Sequence, residues 1–350
     1  RLESVTPSKD RSTLSIDMMG GDRGLQVTAT GVGIALKRHP DLHCVLVGDE
    51  KRTLAALDAS VDSHRIEIVH TTESVDMHES PASALRFKKD SSMRVALNLL
   101  GSGDVDACVS AGNTGALVAT ARFVLKTLSN IDRPAIISTL PRTRGHVHML
   151  DLGANIDSPA EILMQFALMG ESMVRTIEGI DRPSVGLLNV GSEEIKGSEV
   201  IKSANELLKS STLNYVGYVE GNDIFNGTVQ LIVTDGFAGN VALKTSEGLA
   251  QMLTQVIREE FGRNLLTRLS GLIAAPVLKS FKNRFDHRTY NGAVLLGLNG
   301  TVVKSHGNVD GVAFSHAIDT ARLAAQKDLV GHIRHDLRVS LADMTQAGLA

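Results

Sequence analysis

The sequence predicts an α/β protein, a three-layer αβα sandwich around a largely parallel sheet. Three observations carry this. Short apolar runs rich in β-branched residues alternate with longer amphipathic stretches from residue 14 to about residue 334. Several of those runs end in a small or polar residue followed by a glycine turn: IDMMGGD (16–22), LVGDE (46–50), VSAGNTG (109–115), LNVGSEE (188–194) and VTDGFAGN (233–240). No internal repeat and no low-complexity linker interrupts the pattern.

Strands are expected at Leu14–Asp17, Cys44–Val47, Ile66–Val69, Ala107–Ser110, Ala135–Thr139, Val185–Asn189, Tyr215–Val219 and Leu231–Thr234, each a short apolar run closed by a turn former. Between them, apolar residues recur at helical spacing over Leu25–Arg38, Gly115–Leu128, Ala160–Arg175, Glu199–Lys209 and Asn240–Glu260. The segment SNIDRP (Ser129–Pro134) breaks the periodicity, as a lobe boundary or as a loop inside one domain spanning 14–335. Residues 1–13 are polar and read as a disordered leader, and 336–350 as a variable tail.

Composition removes several functional classes. The 350 residues carry a formal net charge of -3, so the total charge favours no polyanion. Aromatic residues are 3% and Trp is absent, which leaves no base-stacking surface and hence no nucleic-acid partner. Cys44 and Cys108, far apart in apolar runs, form neither a disulfide framework nor a metal-ligand pattern, which fits a reducing cytoplasm. The longest apolar run, Leu269–Leu278, is too short to span a bilayer and contains Pro276.

In open α/β sheets ligands bind beyond the carboxyl ends of the strands, so the glycine turns are where chemistry is sought. Ser110-Ala111-Gly112-Asn113-Thr114 opens a helix, whose unpaired N–H groups and positive dipole end suit an anion. The plain alternative is a tight turn capped by Asn113 or Thr114. Asp235, Gly236 and Asn240 repeat the arrangement, with Lys244 one helical turn beyond Asn240. An asparagine there can donate to a developing oxyanion; capping is again the alternative. Lys196, in a charged turn after Leu187–Asn189, is placed to pair with phosphate, or is an ordinary loop lysine. His306, beside Gly307, is a weaker candidate for the same pocket, and a lone histidine is as often structural. Asp17 and Asp22 flank two glycines, but no second carboxylate cluster supports a metal there, and the dinucleotide fingerprint fails on spacing.

The segment 262–288 differs from the rest. Arg263, Arg268, Lys279, Lys282, Arg284 and Arg288 face one acid, Asp286. Leu265, Leu269, Leu272 and Ile273 share one helical face; Leu278, Phe281 and Phe285 share another beyond Pro276. The expectation is a basic amphipathic helical hairpin, fit for a membrane surface, an acidic carrier protein, or a second subunit. No nucleophile elbow, Walker lysine or H-E-x-x-H motif is present. Several anion-holding turns without a protein nucleophile suggest that the substrate itself attacks.

Taken together, IDMMGGD (16–22), SAGNTGA (110–116), LLNVGSEEIKG (187–197), EGNDIF (220–225), VTDGFAGNVALKTSEG (233–248) and LLGLNGTVVKSHG (295–307) resemble the PlsX family of acyl-ACP:phosphate acyltransferases. Met18 stands where alanine is usual in the family, and Gln230 where an acidic residue is expected. The resemblance implies a fold similar to phosphate acetyltransferase and to the isocitrate/isopropylmalate dehydrogenases. It implies a cytoplasmic homodimer held peripherally at the inner face of the membrane, with no cofactor. Its substrates would be long-chain acyl-ACP and inorganic phosphate, and its acyl-phosphate product would pass to a membrane glycerol-3-phosphate acyltransferase. The family's catalytic lysine and asparagine would fall on Lys196 and Asn240. The competing readings are a metal-dependent dehydrogenase of the isocitrate type and a non-catalytic acyl-carrier or lipid-binding module.

Overall fold

A computed structural model describes residues 11–284 and 287–346. The strands are β1 (Ser12–Asp17), β2 (Leu42–Gly48), β3 (Ile66–His70), β4 (Ala107–Ser110), β5 (Ala135–Pro141), β6 (His146–Leu150), β7 (Ser184–Leu188), β8 (Asn214–Val219), β9 (Leu231–Val233), β10 (Ala293–Leu296) and β11 (Thr301–Lys304). The helices are α1 (Leu25–Arg38), α2 (Glu50–Ala56), α3 (Pro81–Phe87), α4 (Ser92–Ser102), α5 (Thr114–Leu125), α6 (Ala160–Glu178), α7 (Glu199–Lys209), α8 (Asp223–Asn226), α9 (Gly236–Gly262), α10 (Leu265–Arg284), α11 (Gly311–Gln326) and α12 (Leu329–Gln346).

Among the described residues, eleven strands join one sheet, in the order β3-β2-β1-β4-β11-β10-β5-β6-β9-β7-β8. β3, β2, β1, β4 and β11 pair in parallel, as do β6, β9, β7 and β8. Three antiparallel pairings, β11–β10, β10–β5 and β5–β6, lie between the blocks. The two parallel blocks therefore run in opposite directions, and their carboxyl ends lie at opposite rims. The sheet continues across the Ser129–Pro134 break, because β4, which precedes it in the chain, joins β5, which follows it, through β11 and β10.

Helices cover both faces. One core joins α1, α6, α7, α11 and α12 to the sheet through residues such as Leu36, Phe166, Leu208, Phe314 and Ile333. The other joins α4 and α5 through Leu97 and Leu117, with Ala242 and Leu243 of α9 packed against it. Most inner strands are buried on both sides, which is why they read as short continuous apolar runs, while the edge strands β3 and β8 are half-exposed.

Sequence periodicity missed β6, β10 and β11. The first carries two histidines, and the others are four residues long. The helix expected to run to Leu128 ends at Leu125, where Lys126 takes a positive φ of 59°. The helix expected from Asn240 starts four residues earlier, at Gly236, because Asp235 is the cap: its carboxylate accepts from the Ala238 N–H at 2.7 Å.

The hairpin is also corrected. α10 runs through Pro276 without a break, and the turn lies at Arg263–Asn264, so the hairpin consists of α9 and α10. Leu265 and Ile273 are 83% and 76% exposed, and Leu269 and Leu272 are exposed as well. Leu278 is half-buried. The side chain of Phe281 and residues Phe285, Asp286, 1–10 and 347–350 lie outside the described residues; of the expected leader (1–13) and tail (336–350), Ser12 and Thr13 belong to β1 and residues 336–346 to α12. Among those described, no helix is long and apolar enough to cross a membrane.

Candidate active site

At the rim formed by β1, β4 and β11, Asp17 is fully buried. It accepts the hydroxyls of Ser92 and Ser110 at 2.6 Å each and the Met19 N–H at 3.3 Å. Burial pushes its carboxyl above the ordinary carboxylate range, and these donors pull it back down. Asp17 thus ties the first turn to the second rather than standing ready for a metal. The Ser110 hydroxyl also accepts the Gly112 N–H at 3.0 Å, so its hydrogen-bonding capacity is largely used within the protein. Asn113 caps α5 through Ala116 and donates its amide to the carbonyls of Met77 and Glu79. Its alternative as a structural cap is what the geometry displays, while Thr114 and Gly115, at the start of α5, stay exposed.

β11 brings a residue that the motif reading passed over. Lys304 is buried at the strand end; its ammonium donates to the Ser305 carbonyl and lies 3.4 Å from the Ala111 carbonyl. Burial pushes it down to about 8, against the pull of the Asp22 and Asp17 carboxylates; the Lys244 charge lowers it further. An anion approaching this lysine favours its charged form. The signal was visible as a lysine closing the apolar run TVVK, directly before Ser305-His306-Gly307. His306 Nε2 lies 3.4 Å from a Glu247 carboxylate oxygen, and the His306 backbone N–H donates to Asn291 Oδ1 at 3.0 Å.

At the opposite rim, β6, β9 and β7 end side by side. Asp151 is buried and accepts the N–H groups of Ile136, Gly153, Ala154 and Asn155 together with the Asn155 amide. Its carboxyl is raised by burial and pulled back by those donors. The loop it organises is the bed for the start of α9: the Gly236 N–H donates to the Asn155 carbonyl at 2.8 Å. A side chain on Gly239 would meet the Asp151 carbonyl at 1.8 Å, so only glycine permits this approach. Asn240, the next residue, is thereby held against Gly153, about 3.5 Å from where a Cβ on that glycine would lie. Asp235 and Gly236, expected to touch substrate, are engaged in capping and close packing.

Lys196 follows β7, the strand hydrogen-bonded to β9. The Asn189 amide pins its loop, donating to the carbonyls of Gly191 and Lys196. The ammonium pairs with Glu193 at 2.7 Å; that hydrogen bond raises its pKa, and its side chain is 47% exposed. Lys196 and Asn240 thus leave neighbouring strands at the same rim. Gln230 takes a structural position too, accepting from Ser184 at the start of β7, and Met18 is buried in the core.

α9 links the two rims. Asn240, Lys244 and Glu247 are spaced four and three apart and share one helical face. Asn240 lies at the β6–β9 rim, while Glu247 reaches His306 at the β11 rim. About 17 Å of helix separates Gly236 from Glu247, roughly the length of a strand. The face carries an amide, an ammonium and a carboxylate along one line of approach.

This open α/β sheet, with helices on both faces, has the fold of the phosphotransacetylases. It is similar to a phosphotransacetylase from Streptococcus pyogenes (TM-score 0.63, 16% identity, 90% of this chain and 94% of that one). It is also similar to a branched-chain phosphotransacylase from Enterococcus faecalis (TM-score 0.57, 12% identity, 90% and 99%). A 4-hydroxythreonine-4-phosphate dehydrogenase from Klebsiella pneumoniae shares the fold as well (TM-score 0.52, 13% identity, 92% and 100%). Residues 12–331 match the family described as fatty acid synthesis protein, and the chain belongs to that family. Its relatives include the phosphate acyltransferase of Nitrosococcus oceani, 54% identical over 95% of this chain and 98% of that one. That of Methylococcus capsulatus is 55% identical over 90% and 94%.

Proposed function

We propose that this protein transfers a long-chain fatty acyl group from acyl-ACP to inorganic phosphate. The supporting observation is the match to phosphate acyltransferases at 54–55% identity across nearly the whole chain. A phosphate oxygen attacks the thioester carbonyl carbon; the C–O bond forms, the C–S bond breaks, and the carrier thiolate leaves and takes a proton. Lys196 holds the phosphate, with Lys244, Lys304 and His306 drawing anionic charge toward the cleft from the other rim. Asn240 donates its amide to the carbonyl oxygen as charge develops there. Positioning the two reactants supplies up to ~7–11 kcal/mol of such a barrier. The test mixes purified protein, acyl-ACP and phosphate and traps acyl-phosphate with hydroxylamine; hydroxamate appears only when phosphate is present. Phosphate-independent release of free fatty acid, or no consumption at all, removes this reading.

The same reading includes a homodimer that docks peripherally on the membrane, by way of the α9–α10 hairpin. The exposed leucines of α10, with basic residues on the same helix, support it. Leu269→Glu combined with Leu272→Glu lowers binding to anionic phospholipid vesicles by at least about tenfold, since each leucine contributes roughly 1.5–3 kcal/mol on burial. Co-sedimentation measures it. Undiminished sedimentation, with dissociation of the dimer, assigns that face to the second subunit instead.

A further inference from the structure

β6 leads through the Asp151 loop into α6, which runs back along the sheet, so the last residue of α6 meets the first residues of β6. This return brings together three potential ligands that are 30 or more residues apart in part: His146, His148 and Glu178. The two histidines alternate with Val147, so their side chains leave the same face of the strand. Both Nε2 atoms lie 3.2 Å from the same Glu178 oxygen, Oε1. A charge-assisted hydrogen bond usually closes to about 2.7–2.9 Å. Donor atoms at neighbouring corners of a tetrahedron around zinc, with bonds of about 2.0–2.1 Å, stand roughly 3.3 Å apart. The observed separations are at the long end of a hydrogen bond, which His148 makes to Glu178, and they also suit neighbouring corners of such a tetrahedron, with all three ligand atoms within 4.8 Å of one another.

The surroundings fit an ion as well. The Thr139 hydroxyl lies 3.1 Å from His148 Nδ1, which orients that ring and presents Nε2. The imidazoles stand 5.3 Å apart at 81° and approach Glu178 from different directions. The His148 side chain is 3% exposed, while His146 and Glu178 are 36% and 28% exposed, so one wall is rigid and the other gives an ion entry. A cavity of about 120 Å³, lined in part by Thr139, His148 and Glu178, adjoins them with room for water.

We propose that His146, His148 and Glu178 form a binding site for a divalent transition-metal ion, zinc by ligand preference, with water completing the coordination. Two imidazoles and a carboxylate suit zinc and exclude the oxygen-only preference of magnesium and calcium. The site lies at the far end of β6 from Asp151, about 16 Å of strand away, so the ion clips the start of β6 to the end of α6 and stays outside the acyl-transfer chemistry.

The full chain, stripped with a chelator, is titrated with zinc against a chromophoric competitor, and its thermal midpoint is followed. One zinc per chain binds at micromolar or tighter and raises the midpoint. His146→Ala and Glu178→Gln, both at the exposed wall, each weaken this binding at least about 100-fold, and Thr139→Val weakens it about tenfold. Circular dichroism shows that the variants remain folded. The proposal is overturned if the stripped wild-type chain takes up no zinc in this range. It is equally overturned if His146→Ala and Glu178→Gln bind as the wild type does, which puts the ion on other histidines.

Discussion

Asn240→Ala lowers the rate of acyl-phosphate formation by about 10²–10³-fold, the usual consequence of removing one preorganised oxyanion donor. Lys196→Ala has an effect of similar size, expressed mainly as a raised KM for phosphate. Both variants keep the fold. Asn240 is only half-buried, and Lys196 makes an exposed ion pair with Glu193 of the sort that contributes little to stability. Steady-state kinetics over a range of phosphate concentrations, with circular dichroism as the check on folding, separates the two roles. Near-normal kcat in Asn240→Ala would falsify its assignment. Unchanged phosphate KM in Lys196→Ala transfers the anion to Lys304 and Lys244, the ammonium groups near the other rim.

Gly239→Ala carries the second large effect, on stability and activity together. The new methyl would lie 1.8 Å from the Asp151 carbonyl, a backbone atom that cannot swing aside. The start of α9 must lift from the Asp151 loop, at a cost of at least about 1–3 kcal/mol. Asn240 moves with it, so kcat falls even at temperatures where the variant is folded. Gly248→Ala is the control on the same helix. Nothing lies within 4 Å of its added methyl, so this change stabilises by about 0.5–1 kcal/mol through helix propensity. Urea midpoints of the two variants shift in opposite directions; a matching shift sinks the close-packing argument.

The glycine turns show where reading residues along the chain succeeds and where it stops. Strand ends at Asp17 and Ser110 were legible, because buried strands are short apolar runs and the turns after them need small residues. What each turn residue does was not. Ser110 and Asn113 suggested anion contacts, and their polar atoms are engaged by Asp17, Gly112, Met77, Glu79 and Ala116. Asp235 looked like a ligand and is a helix cap. A short polar side chain suits a cap and an anion equally well, and only its partners, brought from distant segments, separate the two.

Periodicity and composition were enough to establish an α/β sandwich, and the resemblance of the ordered motifs to the PlsX family supplied the class of chemistry and pointed to Lys196 and Asn240 as the residues to examine. These are local properties: a few consecutive side chains state them. Folding alone decided that the two strand blocks oppose each other, that α9 joins their rims, and that Lys304 is buried near two carboxylates. It also decided that His146, His148 and Glu178 converge. Each of these depends on which strands become neighbours, and that is settled by packing among residues tens to hundreds of positions apart.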